Sequence, residues 1–455
     1  MADKKQIVVG ALIYPNGAHD ASWLVPGAQG NASNDIGYYQ RMAQLCERGK
    51  LDLFFIADTP AARTDDLKAW SRSPDPAFMN VFDPLLLQTA VAGATKHIGL
   101  GATVSTSFAE PYTVARQFAT LDHISNGRAG WNVVTTANDY AARNYGLDNL
   151  PPHGERYARA EEFVDVVTGL WDTWEDDAFI YDTETVRAFV PEKFHALKHE
   201  GDFYKVNGGL NLSRPPQGYP VILQAGSSET GKELAARTAE VVFGSAASLD
   251  LAKEFSRDLK GRMAKFGRSP DELKILSGIT VVVGETEEDA RKTLASWQEL
   301  IHPDVFVAQL GRDLETDLSD LPLDEPVPAE RVPSVSNFHK TYFDEIVGLI
   351  KEGLTLRQIA GRYNRAKATF CGSAKQVADH MEQWLEEEAC DGFMIPFPVL
   401  PGTLEDFVDQ VVPELQRRGI YKMDYVEGTL RDNLGLTRPA NRYAAGTEKR
   451  TAKAS

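Results

Sequence analysis

In the stretch GRAGWNVVTT an asparagine, Asn132, interrupts a run of Trp, Val and Thr that otherwise reads as a buried strand. A buried amide needs hydrogen-bond partners, so Asn132 must face something polar. Asp58 ends the apolar run LDLFFIAD. Thr103 and Ser105 share one face of IGLGATVSTS, as Asn132, Val134 and Thr136 share a face of their own strand, because strand side chains alternate. Any one of these groups could bond to backbone and serve structure alone. Polar residues near the ends of successive strands point together to a small-molecule site.

Two further stretches carry chemistry. In VILQAGSSETGKELA a strand runs into Gly-Ser-Ser and then a helix beginning near Glu229 or Thr230. The backbone N–H groups of that helix start, with the hydroxyls of Ser227 and Ser228, would cradle a phosphate; the competing reading is a plain serine cap. In PPHGERYARAEEF, His153 and Tyr157 stand four apart and share a face if the helix already includes His153. His153 could donate a proton or bind phosphate, or be an ordinary exposed histidine. No HExxH, Cys/His cluster, G-x-S-x-G elbow or P-loop occurs, and His195 and His199 lie in an extended-looking segment without an acidic residue between them. A catalytic metal is therefore not expected.

These residues need a scaffold at whose strand ends they can meet. Strand-like runs begin near residues 7, 51, 98, 129, 220, 241, 274 and 392, most of them separated by helical patterns, with Lys274–Gly284 reading as one strand. The pattern predicts parallel crossover units, and eight of them suit a closed (β/α)8 barrel of the TIM type, in which strand C-termini build the active site. A doubly wound open sheet is the alternative, but no strand leads into G-x-G-x-x-G. The expected organisation is one barrel domain over 1–440, with insertions at about 175–219 and 285–391 and a tail at 441–455. The first insertion reads as hairpin-bearing. The second has an acidic, Pro-rich middle followed by a helical pattern from Tyr342 to about Tyr363, and is either a lid over the barrel mouth or a surface loop with a packing helix.

Composition narrows the partners. Apolar content of 43% and charged content of 25% fit a globular chain, and a net charge of −17 argues against nucleic acid or an anionic membrane. No stretch approaches the roughly 18 apolar residues of a membrane span, and the N-terminus lacks a signal-peptide pattern. Three cysteines without C-x-x-C spacing exclude a disulfide framework and suit a cytoplasmic setting.

The stretches ERGKLDLFFIAD, TLDHISNGRAGWNVVTT, ARNYG, ERYARAEEF, VILQAGSSETG, DGFMI and GTLRDNLGL, in that order, resemble the bacterial luciferase-like flavin-dependent monooxygenases. The resemblance is to the branch holding nitrilotriacetate, EDTA and dibenzothiophene-sulfone monooxygenases and long-chain alkane monooxygenase; the loop wording also resembles members acting on modified cysteine thioethers. It implies a TIM-like barrel using reduced FMN (FMNH2) from a separate NAD(P)H:FMN reductase, with O2 as co-substrate, by way of a flavin C4a-hydroperoxide. By position it implies Asp58 and Thr103 near the isoalloxazine ring and Asn132 beside the flavin. It likewise implies His153 and Tyr157 as flavin contacts and Ser227 with Ser228 as the phosphate loop; within that mechanism His153 is the candidate proton donor. The substrate class implied is a small amine or organosulfur compound cleaved at C–N or C–S, and the assembly a homodimer or homotetramer. An alkane-type hydroxylase, a deazaflavin-dependent oxidoreductase and a non-catalytic flavin-binding protein are the alternatives. The segment GAHDASWLVPGAQGNASND departs from the degradative members, near where substrate is expected.

Overall fold

The computed structural model describes residues 5–64, 66–73, 79–136, 139–244, 248–334, 340–363 and 369–444. Eight strands form one closed parallel barrel in chain order: β1 (Val8–Leu12), β2 (Leu53–Ile56), β3 (Gly99–Ser105), β4 (Ala129–Val134), β5 (Val221–Ala225), β6 (Val241–Gly244), β7 (Lys274–Gly278) and β8 (Gly392–Pro396). Closure, with β8 paired to β1, removes the open-sheet alternative. Ser245 and Ala246, read as the end of the sixth strand, and the tail from residue 445 onward lie outside the described residues.

Alternation decides which side chains enter the barrel. Val8, Leu53, Phe55, Val221, Leu223, Val241, Leu276 and Met394 form the interior core. Small residues make room for large ones: a Cβ on Gly10 would lie 2.4 Å from Met394 Cε, and one on Gly101 would lie 2.9 Å from Phe55. Leu430, Leu434 and Leu436 of the C-terminal segment join this core and close the end of the barrel that strand N-termini define.

The odd-facing residues of β4 pack outward. Trp131, fully buried, meets Phe118 of α3 (Pro111–Ile124), with ring centroids 5.8 Å apart, and Phe163 and Trp171 of α4 (His153–Trp171), at 5.8 and 6.3 Å. Such aromatic pairs add roughly 0.5–1.5 kcal/mol each beyond burial. Arg128 starts the strand with its guanidinium buried, donating to the Ser125, Ile98, Ala92 and Thr95 carbonyls and to Thr95 Oγ1. Most of GRAGWNVVTT is thus scaffold, and it holds Asn132 in one place.

Two expectations need correction. Lys274–Gly284 is not one strand: β7 ends at Gly278, and Thr280–Val283 leaves the barrel to pair in parallel with Thr369–Gly372. The helical pattern from Tyr342 is two helices, Lys340–Lys351 and Leu356–Arg362. Gly353 takes φ +75° between them, and Thr355 with Gln358 forms a capping box that starts the second.

The two long excursions sit on opposite ends. The segment between α4 and β5 carries two antiparallel hairpins, Phe179–Asp182 with Arg187–Phe189 and Leu197–Glu200 with Lys205–Gly208. It runs from a helix C-terminus to a strand N-terminus, the end away from the predicted site. The excursion after β7 leaves a strand C-terminus. It has its own core, in which Val307, Leu310 and Leu314 meet Ile346, Leu356 and Ile359.

Candidate active site

Asn132 and Thr103 stand opposite one another in the β3–β4 register, both buried and both on interior-facing positions. Thr103 Oγ1 donates to the Ile56 carbonyl at 3.0 Å. With its one hydrogen used it can only accept, and it accepts from Asn132 Nδ2 at 2.9 Å. The amide is thereby oriented: nitrogen toward β3, oxygen away. Asn132 Oδ1 is buried and has no partner among the described residues. A lone buried acceptor costs about 1–3 kcal/mol unless something donates to it.

The chain beyond β4 is clamped. Thr136, a β-branched residue, takes φ +51°, a conformation costing roughly 1–3 kcal/mol. Its hydroxyl meets Ser105 Oγ at 2.6 Å, and Ser107 Oγ donates to the Thr135 carbonyl at 2.7 Å. Arg156, from the first turn of α4, donates to the carbonyls of Pro151, Thr135 and Thr136. The turn is therefore tied to the start of α4. The sequence singled out His153 and Tyr157 in that turn but passed over Arg156, whose partners are carbonyls that no residue pattern advertises.

The helix does include His153, so the two rings share a face, with centroids 4.6 Å apart. His153 itself is exposed. Tyr157 lies over the turn after β5: a Cβ at Gly231 would come 3.1 Å from its hydroxyl, and one at Gly226 would come 3.7 Å from it. Between those glycines, Ser228 caps α5 (Glu229–Thr238), accepting from Gly231 N at 3.1 Å. Ser228 therefore fills the cap role, while Ser227 is exposed at the same helix start.

Asp58 lies two residues past β2, half-buried, and burial followed by the charge of Asp83 pushes its carboxyl up to about 7. Beside it Tyr145 stacks on Phe108, with centroids 4.4 Å apart, and burial and then Asp58 push the Tyr145 phenol up. A raised carboxyl pKa means that the folded chain holds this proton more tightly than the unfolded one. The associated stability is present below the unfolded value near 4 and is lost as pH rises through about 7. Asp58→Asn should match the native chain in denaturant unfolding at pH 4 and exceed it at pH 8, by about 2 kcal/mol once partial exposure is allowed for. Equal stabilities at pH 8 would show that the folded carboxyl is unperturbed.

Around the barrel, β2, β3, β4 and β5 thus present Asp58, Thr103, Asn132 and the Ser227–Ser228 turn in order. The excursion after β7 reaches the same end: Val305 packs on Trp70 of the β2 loop, Gln309 donates to Asp20 of the β1 loop, and Trp297 meets His19 edge-on, with centroids 6.1 Å apart. His195 and His199 pair instead with Glu175 and Glu162 in the hairpin region. No helix among the described residues is long and apolar enough to cross a membrane.

A (β/α)8 barrel with polar side chains gathered at its strand C-termini defines an enzyme acting on a small molecule. The chain matches the family of luciferase-like monooxygenases over residues 20–391. It is 47% identical to nitrilotriacetate monooxygenase component A of Aminobacter aminovorans, over 98% of this chain and 99% of that one. It is 45% identical to N-acetyl-S-(2-succino)cysteine monooxygenase of Bacillus subtilis, over 97% and 99%. Among solved structures it is similar to riboflavin lyase with modified FMN and riboflavin, at a TM-score of 0.82 and 29% identity, over 96% and 97%. The chain belongs to the luciferase-like, flavin-dependent monooxygenase family and is an enzyme of that class.

Proposed function

We propose that the chain is the oxygenating component of a two-component system that uses reduced FMN, supplied by a separate reductase, and O2. Its substrate would be a small amine or organosulfur compound, cleaved at C–N or C–S. The observation that carries this reading is the oriented amide of Asn132, whose buried oxygen has no donor among the described residues. An N–H on the edge of a flavin ring is such a donor. The other groups fit the same ligand. The N–H groups opening α5, with Ser227 and Ser228, suit a phosphate, and the hydroxyl of Tyr157 lies over that turn. Asp58 and Thr103 would flank the ring.

Bound reduced FMN supplies the electrons and the activation of O2, with one oxygen atom going to the substrate and the other leaving as water. The protein's share is position and protection. Thr103 fixes the face that Asn132 presents, and Arg156 holds the turn beyond it. The excursion after β7 contacts the β1 and β2 loops and would shield the site from water. His153 would hold the proton delivered to the reacting oxygen. Hydroxylation next to nitrogen or sulfur gives a carbinolamine or hemithioacetal, whose collapse to a carbonyl expels the amine or thiol. The substrates for which these two relatives are named, an amine and a thioether, support this class.

The test is rapid mixing of the protein, loaded anaerobically with reduced FMN, with 18O2 while flavin absorbance is followed. Reoxidation slower than that of free flavin, with one 18O entering the product, is expected. Return at the free-flavin rate with no labelled product from any amine or thioether would refute the reading. His153→Asn should lower coupling of flavin oxidation to product about 10–100-fold while flavin still binds. Full coupling in that variant would remove the proton role.

A further inference from the structure

The loop after β2 carries a cation that no carboxylate among the described residues pairs. Arg63 lies five residues beyond Asp58, half-buried, with its guanidinium over the Trp70 ring at 4.6 Å from the centroid. Its Nε is buried without a hydrogen-bond partner, and among the described residues no carboxylate pairs with it. Neighbouring cations are differently placed. Lys68 and Arg72 lie within 4.0 and 3.6 Å of Asp304. Arg312, which also faces Trp70, pairs with the buried Asp313 at 3.1 Å. Arg156 is taken up by backbone carbonyls.

The position of Arg63 is as informative as its bonding. Asn144, in the loop after β4, donates to the Pro60 carbonyl at 3.2 Å, and Trp70 packs against Val305 of the excursion after β7. Loops from three strand C-termini therefore meet around Arg63, on the same end as Asp58, Thr103 and Asn132. The serine turn proposed for the FMN phosphate follows β5, and β3 and β4 separate it from β2. The loop that carries Arg63 thus rises from the side of the barrel away from that turn, the side left to a substrate rather than to the cofactor phosphate. Stacking on Trp70 fixes the guanidinium plane, so that its terminal N–H groups form a fork able to meet two oxygens at once.

Resting on the monooxygenase reading above, we propose that Arg63 is the receptor for a substrate carboxylate, so that this enzyme acts on carboxylated amines or thioethers. A buried donor without a partner is a cost that an anion removes. With an overall charge of −17, a cation not neutralised by a neighbouring carboxylate is a distinctive attraction for an anionic substrate.

The test is calorimetric titration of the protein, holding oxidised FMN, with nitrilotriacetate and with N-acetyl-S-(2-succino)cysteine. Native protein, Arg63→Met and Arg63→Lys are compared, with FMN affinity of each variant as the control for folding. At least one compound should bind the native protein, less tightly as salt rises, and Arg63→Met should weaken it about 10–100-fold. Arg63→Lys should restore only part of the loss, because an ammonium lacks the planar fork. FMN affinity should not change. Equal binding by Arg63→Met, a matching loss of FMN affinity, or no binding of either compound by the native protein would each overturn the proposal. If carboxylates bind through Arg63 but no oxygen from O2 enters any product, the anion site stands and the monooxygenase mechanism falls.

Discussion

Replacing Asn132 by leucine should leave the barrel at least as stable as the native chain while weakening flavin binding about 10–100-fold and oxygenation by a similar factor or more. The two halves of this result have one cause. Among the described residues the Asn132 side chain makes a single hydrogen bond, to Thr103, and buries an oxygen that makes none. Leucine, of nearly the same shape, removes that unsatisfied oxygen, and Thr103 keeps its bond to the Ile56 carbonyl. Exchanging a half-satisfied buried polar group for an apolar isostere is commonly neutral or stabilising. Function should suffer because the acceptor toward the cofactor is gone, at a position that the Trp131 packing fixes. Denaturant unfolding together with FMN titration separates the two effects. A variant that unfolds more easily and binds FMN normally would make Asn132 a structural residue.

The second large effect is expected at the opposite end of the barrel. Arg431 is buried in the short helix Leu430–Asn433, where it pairs with Glu240 and donates to the Thr437 and Tyr219 carbonyls at 3.1 and 3.0 Å. Its neighbours Leu430 and Leu434 plug the barrel core. Arg431→Met would leave the half-buried Glu240 carboxylate without its counter-charge, with Ile222 N still donating to it, and take the guanidinium donor from two carbonyls; it should cost about 3–5 kcal/mol. Adding Glu240→Gln should recover part of that, because a neutral amide is less costly to strand than a carboxylate, and it can still accept from Ile222 N. Because the site lies at the other strand ends, oxygenation per folded molecule should not change. A loss below about 1 kcal/mol in urea unfolding would mean that the plug is dispensable.

The barrel was legible in the sequence to an unusual degree. All eight strand positions were visible as β-branched runs, and the parallel order followed from the helices between them. What failed was pairing. Thr280–Val283 is as strand-like as the segment before it, and only its distant partner, Thr369–Gly372, reveals that it lies outside the barrel. Local composition encodes extended backbone, not the neighbour it bonds to. The break at Gly353 and Thr355 was hidden for a related reason: apolar spacing continued across it.

The site divides along the same line. The sequence by itself determined that Asp58, Thr103, Asn132 and the Ser227–Ser228 turn stand near or just beyond strand C-termini, because a polar residue inside an apolar run is conspicuous and alternation assigns its face. Resemblance of the surrounding stretches supplied the cofactor class. Only the tertiary structure decided which way the Asn132 amide points, since that depends on the hydrogen that Thr103 gives to a carbonyl on β2. Only the tertiary structure showed that Arg156 is tied to backbone while Arg63 is left open, and that the two long excursions lie at opposite ends. A residue's type and its strand are local properties that a chain writes in order; its hydrogen-bond partner and its charge neighbours are set by segments tens or hundreds of residues away, and exist only once the barrel has closed.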